Sequence, residues 1–454
     1  MSPAPLKSSI LGIVAPLISL VAYSVGHGLL STLVSVRLSA ESVSPQWIGL
    51  VTAAYFAGLI AGTFVNTKVI LGVGHIRAYA AYASIVASTT LLFGLAVYPE
   101  FWFVLRLIGG FAAGGLFVVI ESWLMVSTSA RIRGQVLAIY MVLTFGAMAG
   151  GQIILKWVDI MTLIPFTLVA LAASLSVIPL SLLKTQMPQL EDHGRLPFLK
   201  LFRMTPAGVM GSFCSGLLLG VVYGLMPLFF SSVGYGVGDT ANMMAVVIIG
   251  GMCLQYPLGR MSDRYDRRMV IALLFGMTMV LSTVFVWMQA IDNRLMTGVF
   301  MFLFGGVMFS IYPISLSHAC DELPPEQVIN GNQGALLSYS VGAVVGPLLA
   351  PWFISIRGPM GMFVYFTTVS ALIVVYLLWR RSVRKPVPIE AHNTYTATVP
   401  TSPLIAEMDP RGDPDTETLV GEHDEVSGSG GNDTEEHRND KPKEPLEAEE
   451  KGRD

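Results

Sequence analysis

A chain of 454 residues that is 53% hydrophobic, 13% charged and has a mean hydropathy of +0.62 carries more apolar surface than a soluble core can bury. That excludes a water-soluble enzyme or binding domain and makes a lipid bilayer the expected solvent. The net charge of −3 conceals two opposite pieces: residues 386–454 hold eighteen Asp/Glu and six Lys/Arg, while the rest holds 22 Lys/Arg and 13 Asp/Glu.

Crossing about 30 Å of hydrocarbon takes roughly 20 predominantly apolar residues in a helix, and twelve such runs follow one another. Span 1, residues 11–36, carries His27 and follows a lone lysine, Lys7, with no small-residue cleavage site, so it reads as a retained span and not a signal peptide. Spans 2 and 3 cover 47–68 and 77–97. Span 4, 102–127, holds charge inside it: Arg106 near its start and Glu121 fifteen residues on, about 22 Å deeper. Spans 5 and 6 cover 134–156 and 162–183. A polar, proline-punctuated linker then leads to spans at 206–231, 240–259, 269–289, 295–319, 330–354 and 361–379. Trp47, Trp102, Trp157, Trp287 and Trp352 fall at ends on one side and Trp379 on the other, as interfacial anchors do. Cys214, Cys253 and Cys320 are scattered through apolar segments, read as small core residues, and suggest no disulfide framework.

Beyond residue 382 the chain turns acidic, rich in Pro, Gly, Ser and Thr and poor in aromatics. Such a segment cannot bury enough surface to fold. It reads as a solvated, disordered tail, with docking to a basic partner as the alternative. The expected domains are an N-terminal half, 1–183; a linker, 184–205; a C-terminal half, 206–382; and the tail, 383–454.

Lys and Arg orient the bundle. One set of loops and helix ends holds seventeen of them, including Arg260, Arg264, Arg267 and Arg268 in the stretch PLGRMSDRYDRRM, and the opposite set holds four. The positive-inside rule then places both termini in the cytoplasm of an inner-membrane, multi-pass protein.

The glycines repeat. Gly28 and Gly224, Gly109–Gly110 and Gly305–Gly306, and Gly146 and Gly150 with Gly342 and Gly346 are related by an offset of 196, and Gly62 and Gly259 by 197. Two six-span halves related in this way are the mark of a transporter whose halves move about a central site. The chain resembles the major facilitator superfamily (MFS) over roughly residues 10–382. Gly259, Asp263, Arg264, Arg267 and Arg268 match that family's loop signature, with Asp266 where glycine is usual. The first-half counterpart, Gly62 to Arg77, is degenerate, with Asn66 in the acid's place. Arg106, Gly109, Gly110 and Ala113 resemble the span-4 signature. The runs VVIESWLM, YGLMPLFF and LLSYSVGAVVGP are similar to the YcaD-like branch.

The resemblance implies an all-α fold of twelve helices in two pseudo-symmetric halves, and secondary transport by rocker-switch alternating access. It also implies that Asp263 acts as a conformational gate, for which Arg264 and Arg260 are the expected partners. A basic turn that sets topology alone is the bland alternative. Ionisable groups inside spans are costly and call for a reason. Glu121 suits loading and losing a proton, pairing with Arg131 or Arg133, or touching solute. Arg106 suits anion capture or helix packing; His27 suits proton transfer or a satisfied interior position. The cavity candidates are Tyr223, Gln255, Gln152, Tyr312, His318 and Tyr339, which could equally be interhelical hydrogen bonds. The Gly146/Gly150/Gly151 and Gly342/Gly346 clusters read as close-packing faces.

No Walker loop, G-x-S-x-G, H-E-x-x-H or C-x-x-C occurs, so neither an ATP-driven pump nor a membrane enzyme is expected, and no cofactor or metal. The Met210/Cys214 and His318/Cys320 pairs leave copper transport as a minor alternative. A non-transporting receptor or scaffold is the other. The expected partners are a small solute and the bilayer, with a monomeric chain and no nucleic acid.

Overall fold

The computed structural model describes residues 6–129, 132–182, 198–288, 293–324, 327–383, 388, 392–402 and 405. Its elements are helices: α1 Leu6–Ala40, α2 Pro45–Val73, α3 His75–Leu95, α4 Pro99–Ser127, α5 Arg133–Ile154, α6 Ile164–Leu175, α7 Val177–Ser181, α8 Phe198–Met204, α9 Pro206–Ser232, α10 Val237–Arg264, α11 Arg267–Met288, α12 Arg294–Asp321, α13 Val328–Arg357 and α14 Gly361–Val383. Proline sits in the first turn of α2, α4, α6 and α9, where its missing N–H would have no intrahelical partner anyway. Among the described residues eleven stretches are long and apolar enough to cross a membrane, the last of them Val328–Val383. That stretch is two helices, α13 and α14, parted by the single 3₁₀ turn Gly358–Met360, and α6 with α7 forms one span, which gives twelve crossings.

The two halves repeat their pairings. In the first half α1 packs on α5, α2 on α4 and α3 on α6; in the second α9 packs on α13, α10 on α12 and α11 on α14. Small residues permit the closest approaches, as lipid-embedded helices require. Gly342 and Gly346 of α13 lie against the Phe213 and Leu217 carbonyls of α9, with no room for a Cβ. Gly58 of α2 and Gly110 of α4 lie as tightly on the Leu107 and Tyr55 carbonyls. The packing expected of Gly146 and Gly150 is not found: a Cβ at either meets nothing within 4 Å, and their neighbour Gly151 makes the close contact, on Val25 of α1. Periodicity marks a glycine stripe but not which member faces the partner helix.

Two further expectations change. Trp102 is fully buried; its indole donates to the Ala96 carbonyl (2.8 Å) and its ring meets Phe93 and Phe166, so it is a core residue and not an interfacial anchor. Cys253 is exposed, whereas Cys214 and Cys320 are buried.

At the end of the bundle away from the arginine-rich turn, the halves touch. Gly49 of α2 abuts Pro347 and Pro351 of α13, Ser35 Oγ of α1 donates to the Gly224 carbonyl of α9 (2.6 Å), and Thr52 packs on Gly224. Lys156 packs on Gly238 there as well. At the arginine-rich end, residues 392–402 lie between the halves as a non-helical segment that turns at Pro400, where the Thr401 N–H donates to the Val399 carbonyl (2.9 Å), with Tyr395, Ala397, Val399 and Ser402 buried. This departs from the solvated tail read from composition. The remainder of the acidic tail lies outside the described residues.

Candidate functional site

A cavity of about 70 Å³ lies between the halves. Its wall is made by His27 and Ser31 of α1, Thr52, Tyr55, Phe56 and Leu59 of α2, Arg106 and Phe117 of α4, Thr144 and Met148 of α5, Tyr223 of α9 and Tyr339 of α13. Val399, Pro400 and Thr401 close it toward the arginine-rich end. A smaller space of about 20 Å³ adjoins it, and both are bounded by His27, Tyr55 and Arg106.

Arg106 is 7% exposed, and its guanidinium lies 4.6 Å from the centre of the Tyr55 ring. Among the described residues no carboxylate pairs with it, and its Nε has no hydrogen-bond partner. Cation–π attraction, of order 2 kcal/mol when desolvated, is thus what holds an otherwise unneutralised cation in the wall. His27 lies beside it, stacked on Tyr23 at 5.8 Å and tilted against Tyr55 at 5.4 Å. Tyr23 and Tyr55 do not stand out from sequence as site residues, because an aromatic in an apolar run reads as core. Tyr55 four residues before Leu59 on one helical face, opposite Arg106, is legible only once α2 is paired with α4.

Glu121 is 0% exposed, at the far end of α4 from Arg106. Neither Arg131, which lies outside the described residues, nor Arg133 is shown bonded to it. Its Oε1 accepts from the Tyr140 hydroxyl of α5 (2.7 Å) and from Thr401 Oγ1 (2.5 Å), and its Oε2 from the Ser402 hydroxyl.

The polar candidates divide. Tyr223 and Tyr339 line the cavity. Tyr312 stands behind Tyr339, with ring centres 5.0 Å apart. Gln152 braces α5 to α1 by donating to the Gly28 carbonyl (2.8 Å) and Ser31 Oγ (3.3 Å). Gln255 of α10 donates to the Thr398 carbonyl (2.9 Å), and His318 lies near the bundle's end, 3.7 Å from Glu322.

The charged turn is a network. Asp263 Oδ1 pairs with Arg267 (2.9 Å), and the same guanidinium reaches Asp321 Oδ2 (3.1 Å). This corrects the expected partners: the arginine on Asp263 is Arg267, not Arg264 or Arg260. The helix breaks between Arg264 and Arg267, and that break swings Arg267 back over the last turn of α10, where Arg260 instead lies over the Tyr256 ring at 5.9 Å. Asp266 accepts the Arg268 N–H (3.0 Å) at the start of α11, and Arg268 pairs with Glu322 (2.7 Å). Asn66, at the degenerate first-half position, donates to the Phe111 carbonyl (3.1 Å) and so ties α2 to α4 without charge. Among the described residues no group of three or more His, Cys, Asp or Glu gathers as a metal site, and Cys320 donates to Asn332 Oδ1 (2.9 Å).

Comparison with known proteins bears on this arrangement. The profile of the Major Facilitator Superfamily matches residues 10–331. A relative from Escherichia coli, named "Uncharacterized MFS-type transporter YcaD", is 29% identical over 364 residues, covering 79% of this chain and 93% of the relative. Another, an uncharacterized MFS-type transporter from an Enterobacter species, is 30% identical over 365 residues, with the same 79% and 93% coverage. Among solved structures, nucleoside transporter NupG superposes with a TM-score of 0.65 at 14% identity, covering 83% of this chain and 99% of that one. A D-xylose-proton symporter superposes with a TM-score of 0.63 at 15% identity, covering 87% and 100%. At such identities the likeness is one of fold.

Proposed function

We propose, given that the chain belongs to the Major Facilitator Superfamily, that it carries a small anionic solute by rocker-switch alternating access, with a proton as the coupling ion. Secondary transport across a membrane follows from the family; the charge of the solute, the coupling ion and the orientation are our own reading. The observation that carries it is Arg106: a cation placed in the cavity wall at the cost of desolvation, with no acid among the described residues to neutralise it, is a standing site for an anion. His27, Ser31, Thr52, Tyr223 and Tyr339 supply the hydrogen-bonding groups around it.

Glu121 supports the proton. It is a carboxylate inside a span, held by hydroxyls, which can donate to the ionised form or turn away from the protonated one. The Lys/Arg bias supports the cytoplasmic side of an inner membrane for the arginine-rich end. The contacts at the opposite end then close the cavity to the outside, while Val399, Pro400 and Thr401 cover its cytoplasmic side. Gly259, Asp263 and Arg267, with Arg260, Arg264 and Arg268 around them, are the proposed gate.

Purified protein in liposomes with an imposed pH gradient tests the reading. A panel of small carboxylates and organophosphates is set against neutral solutes of equal size. Gradient-dependent uptake of an anion and not of its neutral counterpart is expected. Equal uptake of both, or none of either, overturns it.

A further inference from the structure

We infer that the arginine-rich mouth of the bundle is a binding site for a non-helical, acid-free, hydroxyl-bearing peptide, that residues 392–402 of the same chain are its resident ligand, and that solute passes only when they leave. Only the last clause rests on the transporter reading.

A chain without helical hydrogen bonds can lie inside a bundle only if its backbone groups find partners there. Four side chains of the bundle provide for the backbone of this one, and a fifth for its hydroxyls. Asp321 Oδ1 accepts the Asn393 N–H (2.9 Å), and Arg267 donates to the Asn393 carbonyl. Asp263 Oδ1 accepts the Tyr395 N–H (2.9 Å), and Gln255 donates to the Thr398 carbonyl (2.9 Å). Glu121 takes the Thr401 and Ser402 hydroxyls.

The first four bonds grip main chain; three features, the Glu121 contacts among them, select sequence. The Tyr395 ring lies flat on Gly259, where any Cβ would overlap it, so the glycine of the loop signature is the seat of an aromatic side chain. Glu121 is placed for two adjacent hydroxyls, one of them on Ser402, which is 1% exposed. Finally, among the described residues three carboxylates, Glu121, Asp263 and Asp321, face the segment against the single cation Arg267, which leaves net negative charge to repel an acidic ligand. The chain respects this: within a tail holding eighteen acids, none lies between Glu390 and Glu407. Charge complementarity thus marks the same stretch as the contacts do.

The position of the segment gives it control. Val399, Pro400 and Thr401 form the cavity's wall on this side, and the segment holds at once Asp263, Arg267 and Glu121, the groups proposed to gate and to couple. Eight residues separate His392 from the end of α14, a reach of up to about 30 Å. Tethering of this kind presents a ligand at an effective concentration of order millimolar, so a peptide of modest affinity would still fill the site most of the time.

The test uses the full chain with Cys253→Ser and Val399→Cys, leaving Cys214 and Cys320 buried, in lipid nanodiscs open to a maleimide from both sides. Val399→Cys is expected to label slowly, and at least about tenfold faster once Tyr395→Ala is added. Ser402→Glu, which sets a second carboxylate against Glu121, is expected to do the same and guards against misfolding of the first variant. Equally fast labelling with and without these changes overturns the bound peptide. In liposomes, both variants are expected to raise the initial rate of solute uptake several-fold. Unchanged uptake alongside faster labelling overturns the control of transport. Slow labelling of the parent with no uptake in any variant sinks the transporter reading and supports the peptide site alone.

Discussion

Arg106→Gln removes the charge from the cavity wall while keeping a hydrogen-bonding tip on a shorter, uncharged side chain. An anion held about 4 Å from the guanidinium gains of order 4 kcal/mol at an effective dielectric of 20, and about half of that after competition with water. A loss of 2–4 kcal/mol is roughly 30- to 1,000-fold in the apparent affinity for an anionic solute. Stability should move the other way. The lost cation–π contact with Tyr55 removes about 2 kcal/mol, but leaving a charge in the span costs about 2.5–3.5 kcal/mol. The variant is thus expected to be as stable as the parent or about 1 kcal/mol more so, its melting temperature unchanged or slightly raised. Half-saturation for uptake, measured with an anionic and a neutral solute alongside a melting curve in detergent, separates the contributions. A fall of several degrees in the melting point, or equal losses for both solutes, would show that Arg106 serves helix packing and would refute the anion site.

Three other outcomes are expected. Glu121→Gln should abolish gradient-driven accumulation but leave solute exchange in the absence of a gradient, since the amide still accepts from Tyr140; loss of exchange as well would point to substrate contact. Gly342→Ala should destabilise by about 1–3 kcal/mol through overlap with the Phe213 carbonyl, whereas Gly146→Ala, with open space around it, should be neutral or gain up to about 1 kcal/mol from helix propensity, both read from thermal melts. Asp263→Asn breaks the pair with Arg267 while keeping an acceptor for Tyr395, so accessibility of cysteines at the two ends of the cavity should shift; identical labelling in parent and variant argues against a gate.

The twelve helices and their division into halves were legible because a bilayer forces long apolar runs, and because close helix crossings leave glycines at a fixed offset. Pairing was legible only in part: Gly342 and Gly346 face α9 as expected, while Gly146 and Gly150 face open space. Arg106, Glu121 and His27 stood out because charge is expensive in lipid. Their companions Tyr23, Tyr55 and Tyr140 did not, since a tyrosine costs little anywhere in a span. Arg267 stood out as part of the loop signature, but its pairing with Asp263 was hidden by the break between α10 and α11, whose geometry no spacing rule supplies. The segment 392–402 was hidden by averaging: the acids on either side dominate its composition, and the run free of carboxylates is visible only when the tail is read a few residues at a time.

Because the segment is covalently continuous with α14, its bonds to the two halves are not equivalent. Its grip on Asp263, Asp321 and Gln255 travels with the half it belongs to, while its hydroxyls reach across to Glu121. Any tilt that widens this end strains the crossing contacts first and leaves the leash attached, so release proceeds from the Ser402 side inward and recapture needs only a short swing back.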